Sequence, residues 1–339
     1  MRPRGWVESA AISGVAAMLL LTGCSTGSDG DNLATRDPAT AAVAPAQSAR
    51  PTGDVAALAT PIGALLAEAG TGRIAALDTS GDTLLLIDPD TPNPQTISLP
   101  ARGAALAQGR PGEVLIAAPQ RVLRADVATG TLTEVAVDGD VRSVLRRDDD
   151  SLIVGTANGT VRTLSAQGEN TRTVSGLASA DALALTDDQI TVLDRRQTSV
   201  TEIGLGKNSL GLALRAGDGA TNLISDRFGR VLVTDTEGGE LLVFSAGPLV
   251  LHQRFPVNSS PYAIAYDQRS DTVWVTCTQT NEVVGFDLST GIPKEVGRYA
   301  TVRQPNSVTI EQRTGDMFVG SATGDGVQRI RADDRKRGH

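Results

Sequence analysis

The chain has 339 residues, a formal net charge of -8, 40% hydrophobic but only 3% aromatic residues, two cysteines and two histidines. An acidic chain without a dense Lys/Arg stripe is excluded as an electrostatic binder of nucleic acid. So few and so scattered His and Cys leave no short-spaced zinc cluster. Abundant Ala, Gly and Arg with few Lys is the composition of GC-rich, actinobacterial coding.

Arg2 and Arg4 precede an apolar run, Ala10 to Leu21, too short to span a hydrocarbon core of about 30 Å as a helix. The run closes on Leu21-Thr22-Gly23-Cys24 followed by small polar residues, and this end resembles a bacterial lipobox. The resemblance implies cleavage before Cys24 and a diacylglycerol on its thiol, often with a further acyl chain on the new amino group. The mature protein would sit on the extracytoplasmic face of the cell membrane, since two or three chains at about 0.8 kcal/mol per buried CH₂ hold firmly. Residues 1–23 are then a lipoprotein signal peptide. With Cys24 lipidated, Cys277 has no intramolecular partner, and its strand-like run, residues 273–278, predicts a buried structural thiol. Residues 24–53 carry almost no large apolar side chain, which predicts a disordered tether with a reach on the order of 30 Å.

From residue 54 to 331, short β-branched or Leu-rich runs alternate with Gly, Asp and Asn turns, and no helical period persists. Residues 61–88 align with residues 261–287 through a single gap, each reading as strand, turn, strand, turn, strand. The same frame puts one small position at Gly63, Gly103, Ser143, Ala182, Asn222, Ala263 and Ser307, a spacing near 40 residues that points to propeller blades. The expectation is an all-β fold, a seven-bladed β-propeller of four-stranded blades. The last repeat has no fourth strand, so residues 54–60 are expected to pair as its outermost strand and close the ring. The chain would then enter the disc at its outer rim and leave the channel mouth free. Residues 332–339 read as a polar tail.

Two stretches carry a more specific likeness. Residues 273–291, VWVTCTQTNEVVGFDLSTG, and residues 230–244, RVLVTDTEGGELLVF, resemble the YVTN repeat of bacterial seven-bladed propellers. That resemblance implies the fold of residues 54–331 and no single activity, since such propellers include lactonase-like, lyase-like and purely binding members.

Chemical motifs are sparse. His252 falls in an outer-strand run, Val250 to Phe255, and His339 ends the chain, so a Ser/His/Asp set is not assembled. Residues 204–209 lack the first Gly and the hydroxyl of a phosphate loop, and Asp148, Asp149 and Asp150 lack the alternate ligands of a calcium loop. No cofactor is implied. Propeller geometry instead turns the residue before each innermost strand toward the channel mouth, giving Ile62, Arg102, Arg142, Asp181, Thr221, Tyr262 and Asn306. Of these, Arg102 and Arg142 would hold an anionic group, with Asp181, Tyr262 and Asn306 orienting the rest. The expected function is a membrane-anchored binding or scaffold module for a protein partner or small ligand. A lactonase-like or lyase-like enzyme, with a divalent cation on Asp181, Asn222 and Asn306, is the alternative.

Overall fold

The computed structural model describes residues 33–91 and 93–335. The expected signal peptide, Cys24, residues 25–32 and the end of the chain from residue 336, with His339, lie outside the described residues. The chain divides between Leu33 and Ala34, and the propeller belongs to the second unit.

Period-two strands separated by turn residues build six antiparallel sheets in the described part. The first sheet holds Ile62–Ala67, Ile74–Asp78, Thr83–Ile87 and Gln95–Ser98. The second has six strands, Ala105–Gln108, Glu113–Asp126, Leu132–Arg146, Leu152–Thr156, Val161–Leu164 and Asn170–Val174. The third, fourth and fifth begin with Ala182–Thr186, Ala220–Ser225 and Pro261–Asp267, each the inner edge of four strands in chain order. The sixth begins with Pro305–Glu311, which packs back against Ile62–Ala67 and closes the ring.

The fold is therefore an all-β propeller, but the expected count of seven four-stranded blades is corrected: counted by hydrogen-bonded sheet there are six, five of four strands and one of six. Residues 113–126 and 132–146 stay in strand conformation through positions where the repeat frame places breaks. At Gln120 (φ 61°) and Gly139 (φ 113°) the pairing skips from Pro119 opposite Asp140 to Arg121 opposite Ala136, a bulge that bends the two strands while the sheet continues on either side of it. The second and third repeats thus share one sheet. It is folded on itself, with Leu115, Val122, Val141, Leu152 and Val154 buried between its halves.

Asp54–Ala56 pairs antiparallel with the last strand, Asp54 opposite Arg329 and Ala56 opposite Val327, so the closing strand is three residues long. The chain end departs from a free polar tail. A 3-10 turn, Asp333–Arg335, carries the Arg335 guanidinium to Asp267 and the Gly315 carbonyl, over the Trp274 ring at 5.0 Å.

Neighbouring sheets bury Leu, Val, Ile and Ala between them, worth roughly 1.5–3 kcal/mol for each large side chain. Space is tight. Trp274 stands directly opposite Gly285, where a Cβ would come 2.7 Å from the indole, while Tyr299 lies against the ring at 5.7 Å between centroids. Glu68, fully buried after the first inner strand, stitches the first sheet to the second. Its carboxylate accepts from the Gly70, Thr71 and Gly112 amides at 2.8, 2.7 and 2.8 Å and from the Thr71 hydroxyl. Burial alone would raise its pKa, yet these hydrogen bonds hold it at about 2, against 4.5 for a free glutamate.

A carboxylate with a depressed folded-state pKa stabilises fully above its unfolded value and loses that contribution as pH falls through the folded one. Thermal unfolding followed by circular dichroism should show Tm dropping between pH 4.5 and about 2. Glu68→Gln should lower Tm at pH 7 and flatten part of that drop; an unchanged profile would remove Glu68 from the account. Gly285→Ala should cost about 1–3 kcal/mol through overpacking. Emission from Trp274, the only tryptophan after Trp6, should shift with it.

Candidate functional site at the mouth of the axial channel

Four inner strands carry a register shift at their first residues, between Ile62 and Ala64, Ala220 and Asn222, Pro261 and Ile264, and Pro305 and Ser307, and the long strand Leu132–Arg146 carries one within it, between Val141 and Ser143. A bulge leaves its extra residue out of the ladder and re-aims the side chain. Here the bulges sit at one end of the axis, and they free Arg142, Tyr262 and Asn306. Together with Asp181, these line a cavity of about 370 Å³ whose walls include the small residues Gly63, Ala105 and Ala182 beside Leu106, Leu183 and Leu223. Four of the five expected mouth residues meet there. Arg102 does not: it is exposed, and its side chain lies against the turn at Gly81.

A second cationic residue of the cavity, Arg195, escaped the sequence reading because it comes from the far turn of the third sheet. The adjacent Asp194 is fully buried and accepts from the amides of Ala178, Ser179, Arg196 and Gln197, so turn and preceding loop are locked together. Its carboxylate before a polar turn, Asp194-Arg195-Arg196, is the signal that could have found it. The Arg195 amide donates to Asp181 at 2.9 Å, and the Ser179 hydroxyl donates to the same oxygen. Arg195 Nη2 donates to the Ala39 carbonyl at 2.6 Å, while its Nε is shielded from solvent and has no acceptor.

Elsewhere in the mouth, Arg142 pairs with Asp140 at 2.7 Å, both side chains nearly half exposed, a contact weak enough to exchange for a ligand. Asn306 Oδ1 accepts from Gln304 Nε2 at 2.9 Å, and Asn222 Nδ2 donates to the Tyr262 carbonyl at 3.0 Å. The described lining thus offers two guanidinium groups against one carboxylate. That carboxylate, Asp181, is already held, and Asn222 is turned to the backbone, so the set expected for a divalent cation is not assembled. Among the described residues no three His, Cys, Asp or Glu come together as a metal group.

Residues 35–52, expected as a free tether, lie along this face as a strap. Arg36 donates its amide to Arg196 and its guanidinium to Glu237 and the Asp218 carbonyl. Ala42 N bonds Ser260 Oγ at 3.1 Å; Gln304 grips the next stretch from both sides, donating to the Ala42 carbonyl at 3.0 Å and accepting from Ala44 N at 2.8 Å. Asn281 donates to the Pro45 carbonyl, and Thr52 joins the Ala300 and Gln328 groups before the closing strand. The mouth is consequently bordered by the chain's own N-terminal segment, correcting the expectation that it stands clear.

The remaining candidates lie apart from the cavity. His252 is exposed on the outer strand Val250–Pro256. Asp150 pairs with Arg110 and Arg146, and Asp149 with Ser151. Cys277 is fully buried, and desolvation pushes its thiol up to about 12, an inert group. No described helix is long and apolar enough to cross a membrane.

No family model and no curated protein sequence matches the chain. Solved propellers are similar in fold. A virginiamycin B lyase from Staphylococcus aureus superimposes with a TM-score of 0.67 at 13% identity, covering 81% of this chain and 97% of that one. Hydrazine synthase of Kuenenia stuttgartiensis gives 0.69 at 12% identity over 84% and 98%, and a chain of a mitotic checkpoint complex gives 0.72 at 12% over 88% and 99%. At such identities the likeness establishes the propeller fold and carries no activity across.

Proposed function

We propose that this chain is a lipid-anchored, extracytoplasmic binding module that takes a small anionic ligand at the channel mouth. The observation that carries the reading is the convergence of Arg142 and Arg195, from two different sheets, on one cavity with Asp181, Tyr262 and Asn306. The Arg195 guanidinium lining the cavity and the exchangeable Arg142–Asp140 pair are what a carboxylate or phosphate group would engage. Tyr262 and Asn306 supply hydrogen bonds to the body of the ligand. Support for anchoring comes from the Leu21-Thr22-Gly23-Cys24 end of the N-terminal apolar run, which resembles a lipobox.

Citrate or inorganic phosphate at millimolar concentration should raise Tm, because a ligand bound only by the folded state stabilises it. Losing one charge-assisted contact, worth about 1.5–3 kcal/mol, should weaken binding roughly 10- to 100-fold in Arg142→Ala or Arg195→Ala. Equal shifts in wild type and both variants would place the anion elsewhere. For the anchor, Cys24→Ser should move the protein from the membrane fraction to the soluble fraction with Tm unchanged; a variant still sedimenting with membranes would contradict lipidation.

A further inference from the structure

The strap and the cavity are linked directly through Arg195 and indirectly through Asn306. Arg195 lines the mouth and spends one guanidinium nitrogen on the Ala39 carbonyl. Gln304 uses one amide nitrogen both to orient Asn306 and to hold the Ala42 carbonyl. A ligand drawing on Arg195 therefore draws on a donor that keeps the strap in place, and one that shifts Asn306 moves the acceptor that orients Gln304.

The strap is also held in a way that lets it leave without unfolding the sheets. Its middle, Ala39 to Pro45, is attached through its own backbone, read by the side chains of Arg195, Ser260, Asn281 and Gln304, while Arg36 and Gln47 add side-chain contacts to Glu237, the Asp218 carbonyl and the Thr301 carbonyl at its two ends. Only two methyl groups are buried with it, those of Ala39 (4% exposed) and Ala44 (3%), whereas Val43 between them is 85% exposed. Ala39 fits because Gly219 faces it; a Cβ at Gly219 would lie 2.8 Å from the Ala39 methyl. Segments with so little buried apolar surface open at far lower free energy than the sheets beneath them.

We propose that residues 36–47 form a displaceable cis cover on the channel mouth, whose docking competes with the anionic ligand for Arg195 and the Gln304–Asn306 pair. The inference rests on the mouth being the binding site. By reciprocity, whatever factor the ligand loosens the strap by, loosening the strap tightens the ligand by the same factor.

The test uses the full chain, hydrogen exchange read by mass spectrometry, and inorganic phosphate as the probe. The Ala42 and Ala44 amides should exchange at least 100-fold faster than the amides of Thr272–Cys277, and saturating phosphate should speed them a further 3- to 10-fold. A variant carrying Ala39→Gln and Ala44→Gln, neutral side chains too large for their sites, should show fast strap exchange without phosphate and bind phosphate 3- to 10-fold more tightly. Unchanged exchange in Thr272–Cys277 shows that the variant is folded. Strap amides as protected as the sheets, or phosphate that binds without altering their exchange, would overturn the inference. Phosphate binding to neither protein would remove the mouth reading itself, and the cover with it.

Discussion

Crowding at the axis is the constraint on which the rest of this molecule depends. Inner strands from every sheet converge there, and the room left for side chains is set by backbone approach. A Cβ at Gly155 would meet the Ala180 carbonyl at 2.5 Å, and one at Gly320 would lie 2.5 Å from Ser307 Oγ and 2.8 Å from Ile62. Small residues at Ser143, Ala182, Ala263 and Ser307 satisfy that constraint, and the residue preceding each is thereby delivered to the channel mouth. Arg142, Asp181, Tyr262 and Asn306 meet in one cavity because their neighbours are small.

A second theme is recognition of backbone by buried polar side chains. Asp194 and Asp235 each collect loop amides, and Asn281 accepts from Gln304 N while donating to Pro45. Loops that would otherwise leave unpaired groups on a crowded face are tied down this way, and each tie is expensive to break in isolation. The strap is held by the same chemistry, so the propeller treats its own N-terminal segment as one more loop of the mouth face.

Much of this was legible in the residues. The 40-residue recurrence and the period-two runs mark the propeller, and the small positions lead to four of the mouth residues. Blade number was not legible, because the repeat frame counts sequence units whereas sheets are counted by hydrogen bonds, and the bulge at Gln120 and Gly139 interrupts the ladder without ending the sheet. The strap was silent for a related reason: a segment gripped through its main chain needs no apolar pattern, and residues 35–52 read as linker. Arg195 was missed because the frame followed one position per repeat, and it enters from another turn. Arg335 was missed because a basic chain end offers no sign that one guanidinium will be buried beside Asp267.

Closure has its own consequence for the order in which the molecule assembles. Asp54–Ala56 is the first described strand to be made, yet its partner Val327–Ile330 is the last of the described strands. The longest loop in the chain must close before this ladder can form, and contacts of such separation are slow to win against chain entropy. Until then the last strand keeps an open edge, the kind that pairs with other chains. A ring completed only when its two ends meet cannot finish folding until its last strand has been made, so every sheet between them must wait with one edge of the ring unsealed.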